Sequence, residues 1–171
     1  MAMRSKGSSF ESVALMEQFF NDVIGAPKDG GPFWFYGGGY AYYRWCQYYG
    51  LPEVETKDYD VYLDPAFVEK VRERIQPGEE VEGKTITLHS TGIGPGYVDI
   101  GGSHLQSPEV LARAYGTKKD QGLLRSIKKP SADEEIDQEK ADRRRRRQDG
   151  MDALLAKFFA DVKGQKLKVY Q

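Results

Sequence analysis

Between Phe33 and Gly50 the chain runs Phe-Trp-Phe-Tyr-Gly-Gly-Gly-Tyr-Ala-Tyr-Tyr-Arg-Trp-Cys-Gln-Tyr-Tyr-Gly, and few architectures have room for it. Residues 33–36 read as a short aromatic strand, and Gly37, Gly38 and Gly39 break it. Residues 40–49 then read as a helix closed by Gly50, since glycine readily takes the left-handed conformation just past a helix end. Tyr40, Tyr42, Tyr43, Trp45, Tyr48 and Tyr49 fall on every side of that helix, and a helix apolar all round is one that is packed all round. Most of these rings are therefore core, although one could stack on a base.

The other elements follow from periodicity and punctuation. Ser8 to Glu11 has the form of a capping box, and Val13, Met16, Phe20, Val23 and Ile24 follow at helical spacing until Gly25 and Pro27. Residues 58–63 alternate polar and apolar side chains, the mark of a strand buried on one face. Asp64-Pro65 is a cap followed by a favoured first helical residue, opening a helix to about Ile75, and Ser107-Pro108 repeats the signal for a helix to Tyr115. Residues 85–89 and 97–100 read as two strands joined through the turn-rich stretch 92–96.

From Thr117 the chain changes character. Residues 128–147 hold eight basic and six acidic side chains, including the arginine run 143–147, and little that could be buried, so a projecting helix or a mobile arm is expected there. Ser131 to Glu134 is a further capping box. Met151, Leu154, Leu155, Phe158, Phe159 and Val162 then mark an amphipathic helix whose Leu154, Leu155, Phe158 and Phe159 face should pack on the core. The expected fold is α/β (α+β): a small mixed sheet with flanking helices over residues 8–116, and a charged helical extension, 117–171, packed against it.

Composition narrows the classes of function. A hydrophobic share of 39% and an aromatic share of 12% belong to a globular chain of 171 residues, not a disordered one. A formal net charge of −1 gives no overall pull toward nucleic acid or anionic lipid, so any such attraction is local. Cys46 is the one cysteine, which excludes an intramolecular disulfide and a thiolate zinc cluster and suits a core position. The first residues lack the apolar segment of a secretory signal, and no run approaches 18 consecutive apolar residues. A soluble, cytoplasmic protein with no membrane partner is expected.

Three features carry chemistry, in order along the chain. Gly38 and Gly39 lie at a strand-to-helix junction, where backbone N–H groups can approach a phosphate and the helix N-terminus favours its charge. Asp58 and Asp60, in Thr56-Lys57-Asp58-Tyr59-Asp60-Val61, project from one face of their strand. Paired carboxylates repel unless a cation lies between them, and hard oxygen ligands suit Mg²⁺, which is commonly held by one or two carboxylates plus substrate phosphates. Asp99, flanked by Val98 and Ile100, brings a third carboxylate if its strand lies beside that of Asp58. Each feature has a plain structural reading too: a common junction, a solvated strand face, an edge position. His89 reads as a half-buried strand residue, and His104, close after Asp99, could reach the same site.

Taken together, Gly38-Gly39-Tyr40-Ala41, then Thr56 to Val61, then Val98-Asp99-Ile100 resemble the nucleotidyltransferase (DNA polymerase β-like) superfamily, and most of all its minimal and abortive-infection toxin-like (AbiEii-type) branches. The likeness spans about residues 33–101. More loosely, Gln148-Asp149-Gly150-Met151-Asp152-Ala153-Leu154-Leu155 is similar to the helix that ends such toxin-like domains, with Gln148 in place of a basic residue. Gly39 stands where many members carry a serine, and Tyr40 replaces a small Thr or Ser, which narrows the expected nucleotide pocket.

The resemblance implies a metal-dependent transfer of a nucleotidyl group from an NTP. Asp58, Asp60 and Asp99 are then the catalytic and metal-binding carboxylates for Mg²⁺ or Mn²⁺, with Asp99 as general base. Gly38, Gly39 and Thr56 are the nucleotide-binding residues. The acceptor stays open among RNA (tRNA included), protein and small molecules, and a cognate partner protein fits the toxin-like branch. The alternatives are a catalytically inactive nucleotidyltransferase-like scaffold and a nucleic-acid-binding protein that uses the arginine run.

Overall fold

The first helix, α1 (Val13–Val23), begins where the Ser12 hydroxyl accepts a hydrogen bond from the Leu15 N–H. The expected box at Ser8 starts outside the residues described by the computed structural model, which are 10–90, 96–117 and 134–171. Met16 and Phe20 face inward from α1. Strand β1 (Trp34–Gly37) runs directly into α2 (Gly38–Tyr49), which Gly50 ends at φ 69°. Strand β2 (Asp58–Leu63) alternates as expected, with Tyr59, Val61 and Leu63 buried. Asp64 accepts from the Ala66 N–H at 3.1 Å and leads through one 3₁₀ turn (Pro65–Phe67) into α3 (Val68–Arg74).

The remaining elements are β3 (Glu80–Val81), β4 (Lys84–Ser90), β5 (Tyr97–Ile100), β6 (Ser103–Gln106), α4 (Pro108–Tyr115) and α5 (Glu134–Lys163). The six strands of the described residues form one mixed sheet in the order β3-β4-β2-β1-β6-β5. β1 is antiparallel to β2 and parallel to β6, while β2 is parallel to β4. The architecture is the expected α+β class, helices packed on a small mixed sheet.

The expected hairpin between β4 and β5 is absent. Those strands lie on opposite sides of the sheet, and residues 92–95 of the supposed turn lie outside the described residues. The real hairpin joins β5 to β6 through Gly101 and Gly102, at φ 59° and 92°, the two-residue turn with left-handed backbone at both positions. β6, Ser-His-Leu-Gln, carries too little β-branched or aromatic character to announce itself, and β3 is only two residues long.

Registers fix the two faces of the sheet. Val61 pairs with Tyr36, Tyr36 with Leu105 and Leu105 with Val98, so these four side chains share the face that α2 covers, and all are buried. On it Tyr36, Tyr40 and Tyr59 meet edge-on or tilted, with centroids 4.7–6.2 Å apart. The opposite face carries a stacked row of rings, His89 on Tyr62, Tyr62 on Phe35 and Phe35 on Tyr97.

Helix α5 belongs to the same hydrophobic cluster. Met151, Leu154 and Phe158 are fully buried, with Phe158 edge-on to Trp45 at 5.6 Å. Leu155 is partly buried, but Phe159 is 47% exposed, so the apolar stripe is narrower than its sequence suggests. Nor does the arginine run project freely. Arg144 donates to the Ala114 carbonyl at 3.1 Å, Gln148 to the Tyr115 carbonyl at 2.7 Å, and Arg146 forks onto the Glu55 carboxylate. No helix of the described residues is long and apolar enough to cross a membrane.

Two outcomes are expected. Phe158→Ala should lower unfolding stability by about 3–5 kcal/mol, because it opens a cavity beside Trp45, whereas Phe159→Ala should stay within about 1 kcal/mol; chemical denaturation measures both. His104 is buried, with Nδ1 2.9 Å from the Trp34 carbonyl oxygen, and burial holds its pKa below the ordinary 6.5. The unfolded chain therefore takes up a proton near that pH that the folded chain refuses, so this contribution is complete above it and is lost as pH falls through it. Denaturation at pH 7.5 and 5.5 should show wild type losing more stability than His104→Gln.

Candidate functional site

The chemistry-bearing residues gather where β1 passes into α2. Gly38 has φ 59°, a conformation a side chain resists, and a Cβ on it would run into the Asp60 carboxylate. A Cβ on Gly39 would stand 2.5 Å from an Arg147 guanidinium nitrogen and 3.1 Å from the Thr56 hydroxyl. The glycine pair thus lets a carboxylate from β2 and a cation from α5 close against the start of one helix. That start has no side-chain cap and no acidic residue in its first turn. The Thr56 hydroxyl donates to the Asp58 carbonyl at 3.2 Å, holding the approach to β2 under Gly39.

Asp58 and Asp60 share the sheet face opposite the core, Asp58 exposed and Asp60 half-buried. Asp60 Oδ1 lies 3.1 Å from His89 Nε2, because the parallel register of β2 and β4 sets Asp60 beside Thr87 and Tyr62 beside His89. Two carboxylates on one face, open to solvent and beside a free helix N-terminus, fit a Mg²⁺ or Mn²⁺ that takes its other ligands from water and phosphate oxygens. Among the described residues no group of three His, Cys, Asp or Glu side chains is placed to hold a metal unaided.

Asp99 does not join them. Its strand is not beside β2: β1 and β6 intervene, three inter-strand steps or about 14 Å. The register sets Asp99 opposite His104, in the row of Tyr62 and therefore four residues along from that of Asp58. Asp99 faces the same side of the sheet as the dyad, yet metal-bridging reach is out of the question. Its Oδ1 accepts from the Gly102 N–H at 3.0 Å, which explains an acid there as a stabiliser of the tight turn. His104 is likewise remote, bound to the Trp34 carbonyl and stacked on its ring. Tyr40 does not narrow a pocket, since its ring is buried against Tyr36 and Tyr59.

Two residues beside the dyad had no distinct signal in the sequence. His89 looked like an ordinary strand position, and only the β2–β4 register makes it the partner of Asp60. Arg147 was one of five consecutive arginines, yet it alone of the run is buried, at 8% exposure. Its Nη2 donates to the Glu55 carbonyl at 3.2 Å, its guanidinium lies over the Tyr115 ring at 5.3 Å, and its buried Nε has no hydrogen-bond partner. Burial pulls the Arg147 pKa down, and neighbouring Arg143 adds to the effect. The Glu55 carboxylate is committed to Arg146, which holds its pKa at about 2.

An open concavity of about 570 Å³, lined by Tyr48, Tyr49, Lys157, Ala160, Asp161 and Lys166, lies at the other end of α2 and includes none of these residues. No protein-family model, no curated protein and no solved structure matches this chain.

Proposed function

We propose that the protein is a metal-dependent nucleotidyltransferase that moves a nucleotidyl group from an NTP to a hydroxyl of an acceptor, the bond to the β-phosphate breaking as the new one forms, with pyrophosphate and the hydroxyl proton released. The observation that supports this reading is the meeting, at the uncapped start of α2, of the Asp60 carboxylate against Gly38 and of Arg147 and Thr56 against Gly39. Phosphoryl chemistry needs charge neutralisation and positioning more than covalent help from the protein, and these are the groups that supply both. Asp58 and Asp60 would hold Mg²⁺ or Mn²⁺, whose contribution is to neutralise the triphosphate. The amides of Gly38 and Gly39 would face the phosphates, with Thr56 beside them holding the approach to β2 through its bond to the Asp58 carbonyl. His89 orients Asp60 through its hydrogen bond. Asp99 has no part in this reading.

A second reading, a phosphate-binding scaffold that does not transfer, is favoured by one observation: the third carboxylate lies three strands away. The two differ in outcome with labelled NTPs. Incubation with each α-labelled NTP, Mg²⁺ or Mn²⁺, and total RNA or a cell extract should label an acceptor under the first reading and none under the second.

Asp58→Asn and Asp60→Asn should each reduce transfer at least a hundredfold while leaving the fold intact, since removing one of two clustered like charges relieves repulsion. Thermal melts supply a check independent of the acceptor. Millimolar Mg²⁺ or Mn²⁺ should raise the melting temperature of wild type and raise that of either variant less, because a ligand stabilises only the state that binds it. A melt indifferent to both metals would sink the metal site.

A further inference from the structure

The electrostatics at the start of α2 are incomplete as they stand. The head of a twelve-residue helix carries the positive end of its dipole and unpaired N–H groups. Helices usually answer this with a side-chain acceptor, as Ser12 and Ser107 do for α1 and α4. Here there is no such cap, and the side chain that closes over Gly39 is instead a cation. Arg147 is buried there beyond nine-tenths, with an unpartnered Nε, the Glu55 carbonyl accepting from its Nη2, and the Tyr115 ring against its guanidinium. The carboxylate of Glu55 on that side is already forked by Arg146. Asp60 is close too, with its Oδ1 turned to His89 and its Oδ2 against Gly38, so it answers the Gly38 end of the helix start and leaves the Gly39 end to Arg147.

A buried cation set on the positive end of a helix is costly, and desolvation makes it more so. Deprotonation is no escape for a guanidinium. A bound anion eases this: it takes the first-turn amides and neutralises the guanidinium, whose Nη2 lies against Gly39. A phosphate suits the task, because a guanidinium edge presents two parallel donors that match two phosphate oxygens.

We propose that Arg147 is the phosphate receptor of this site, reaching from α5 to hold a terminal phosphate of a polyphosphate ligand against Gly38, Gly39 and Thr56. The proposal names the phosphate end of the site used in the nucleotidyl-transfer reading and rests on that reading for the nucleotide alone. The anion cradle itself needs neither metal nor chemistry.

The test is therefore made without either. Inorganic tripolyphosphate is titrated into the full chain in EDTA at low salt, and binding is followed by calorimetry. Wild type should bind one equivalent. Arg147→Gln should weaken binding at least tenfold, Arg147→Lys less, and Arg145→Gln, which removes an equal charge from an arginine paired with Asp142, should change it less than twofold. Far-ultraviolet circular dichroism checks that each variant is folded. If Arg147→Gln does not fold, hydrogen exchange on wild type decides: tripolyphosphate should slow exchange of the 38–41 amides. No binding by wild type, equal weakening by Arg145→Gln and Arg147→Gln, or unchanged exchange at 38–41 would each overturn the proposal. Anion binding with no transfer from labelled NTPs would uphold the cradle and remove the transferase reading, whereas transfer that survives Arg147→Gln would do the reverse.

Discussion

Gly37, Gly38 and Gly39 stand at the junction of β1 and α2, and at each of them the place of a Cβ is already taken. At Gly37 it is taken by the Tyr62 ring and the Gln106 side chain, at Gly38 by the Asp60 carboxylate, and at Gly39 by Arg147 and Thr56. One strand-to-helix turn therefore receives side chains from β2, β6, α5 and the segment before β2. A methyl group at any of the three would displace one of those side chains, and at Gly38 it would also strain the left-handed backbone. The central strand, the polar face of the sheet and the last helix are mutually placed through this absence of side chains.

What closes on that junction is as telling as the gap. A run of five arginines suggests a solvated or nucleic-acid-binding face, yet here its members are divided among several jobs. Arg144 secures α4, Arg145 pairs with Asp142 on its own helix, Arg146 grips Glu55, and Arg147 turns inward. Exposed pairs such as Arg146–Glu55 contribute little stability, of the order of 0–1 kcal/mol, so the rotation of α5 is set chiefly by its buried Met151, Leu154 and Phe158. That rotation decides which arginine is buried against the glycines.

Much of this was legible in the sequence, for reasons that differ by element. Asp58–Leu63 was clear because period-2 alternation has no helical reading, and α4 because Ser107, Pro108 and Gly116 punctuate both its ends. Gly38 with Gly39, and Asp58 with Asp60, could each be paired because residue spacing within one strand or one junction is local geometry, whereas only the resemblance tied the one pair to the other, a meeting that depends on the β1–β2 pairing. Asp99 failed because its relation to Asp58 depends on strand order, and strand order is set by pairings across the whole chain that no local pattern records. The omission of β6 was the root of that error, since a strand of Ser-His-Leu-Gln gave no cue that β5 pairs with it at the far edge. Arg147 failed for a related reason: in a row of identical residues, only the helix phase selects the one that faces in.

The way α5 supplies the core has a kinetic consequence. Trp45, central to the aromatic helix, is sealed by Phe158, and Tyr49 bonds Asp161 across 112 residues of chain. Arg146 and Glu55 are separated by 91. Loops of that length must close before these contacts return anything, and such closure slows folding far more than it costs stability. During synthesis the sheet and α2 emerge well ahead of the helix that covers them, so an aromatic-rich surface stays uncovered for the time it takes to make about a hundred residues. The last strand, β6, ends at Gln106, so for the first half of that interval the sheet is itself unfinished, and the face of the central helix that Phe158 seals is covered only after every strand has been made.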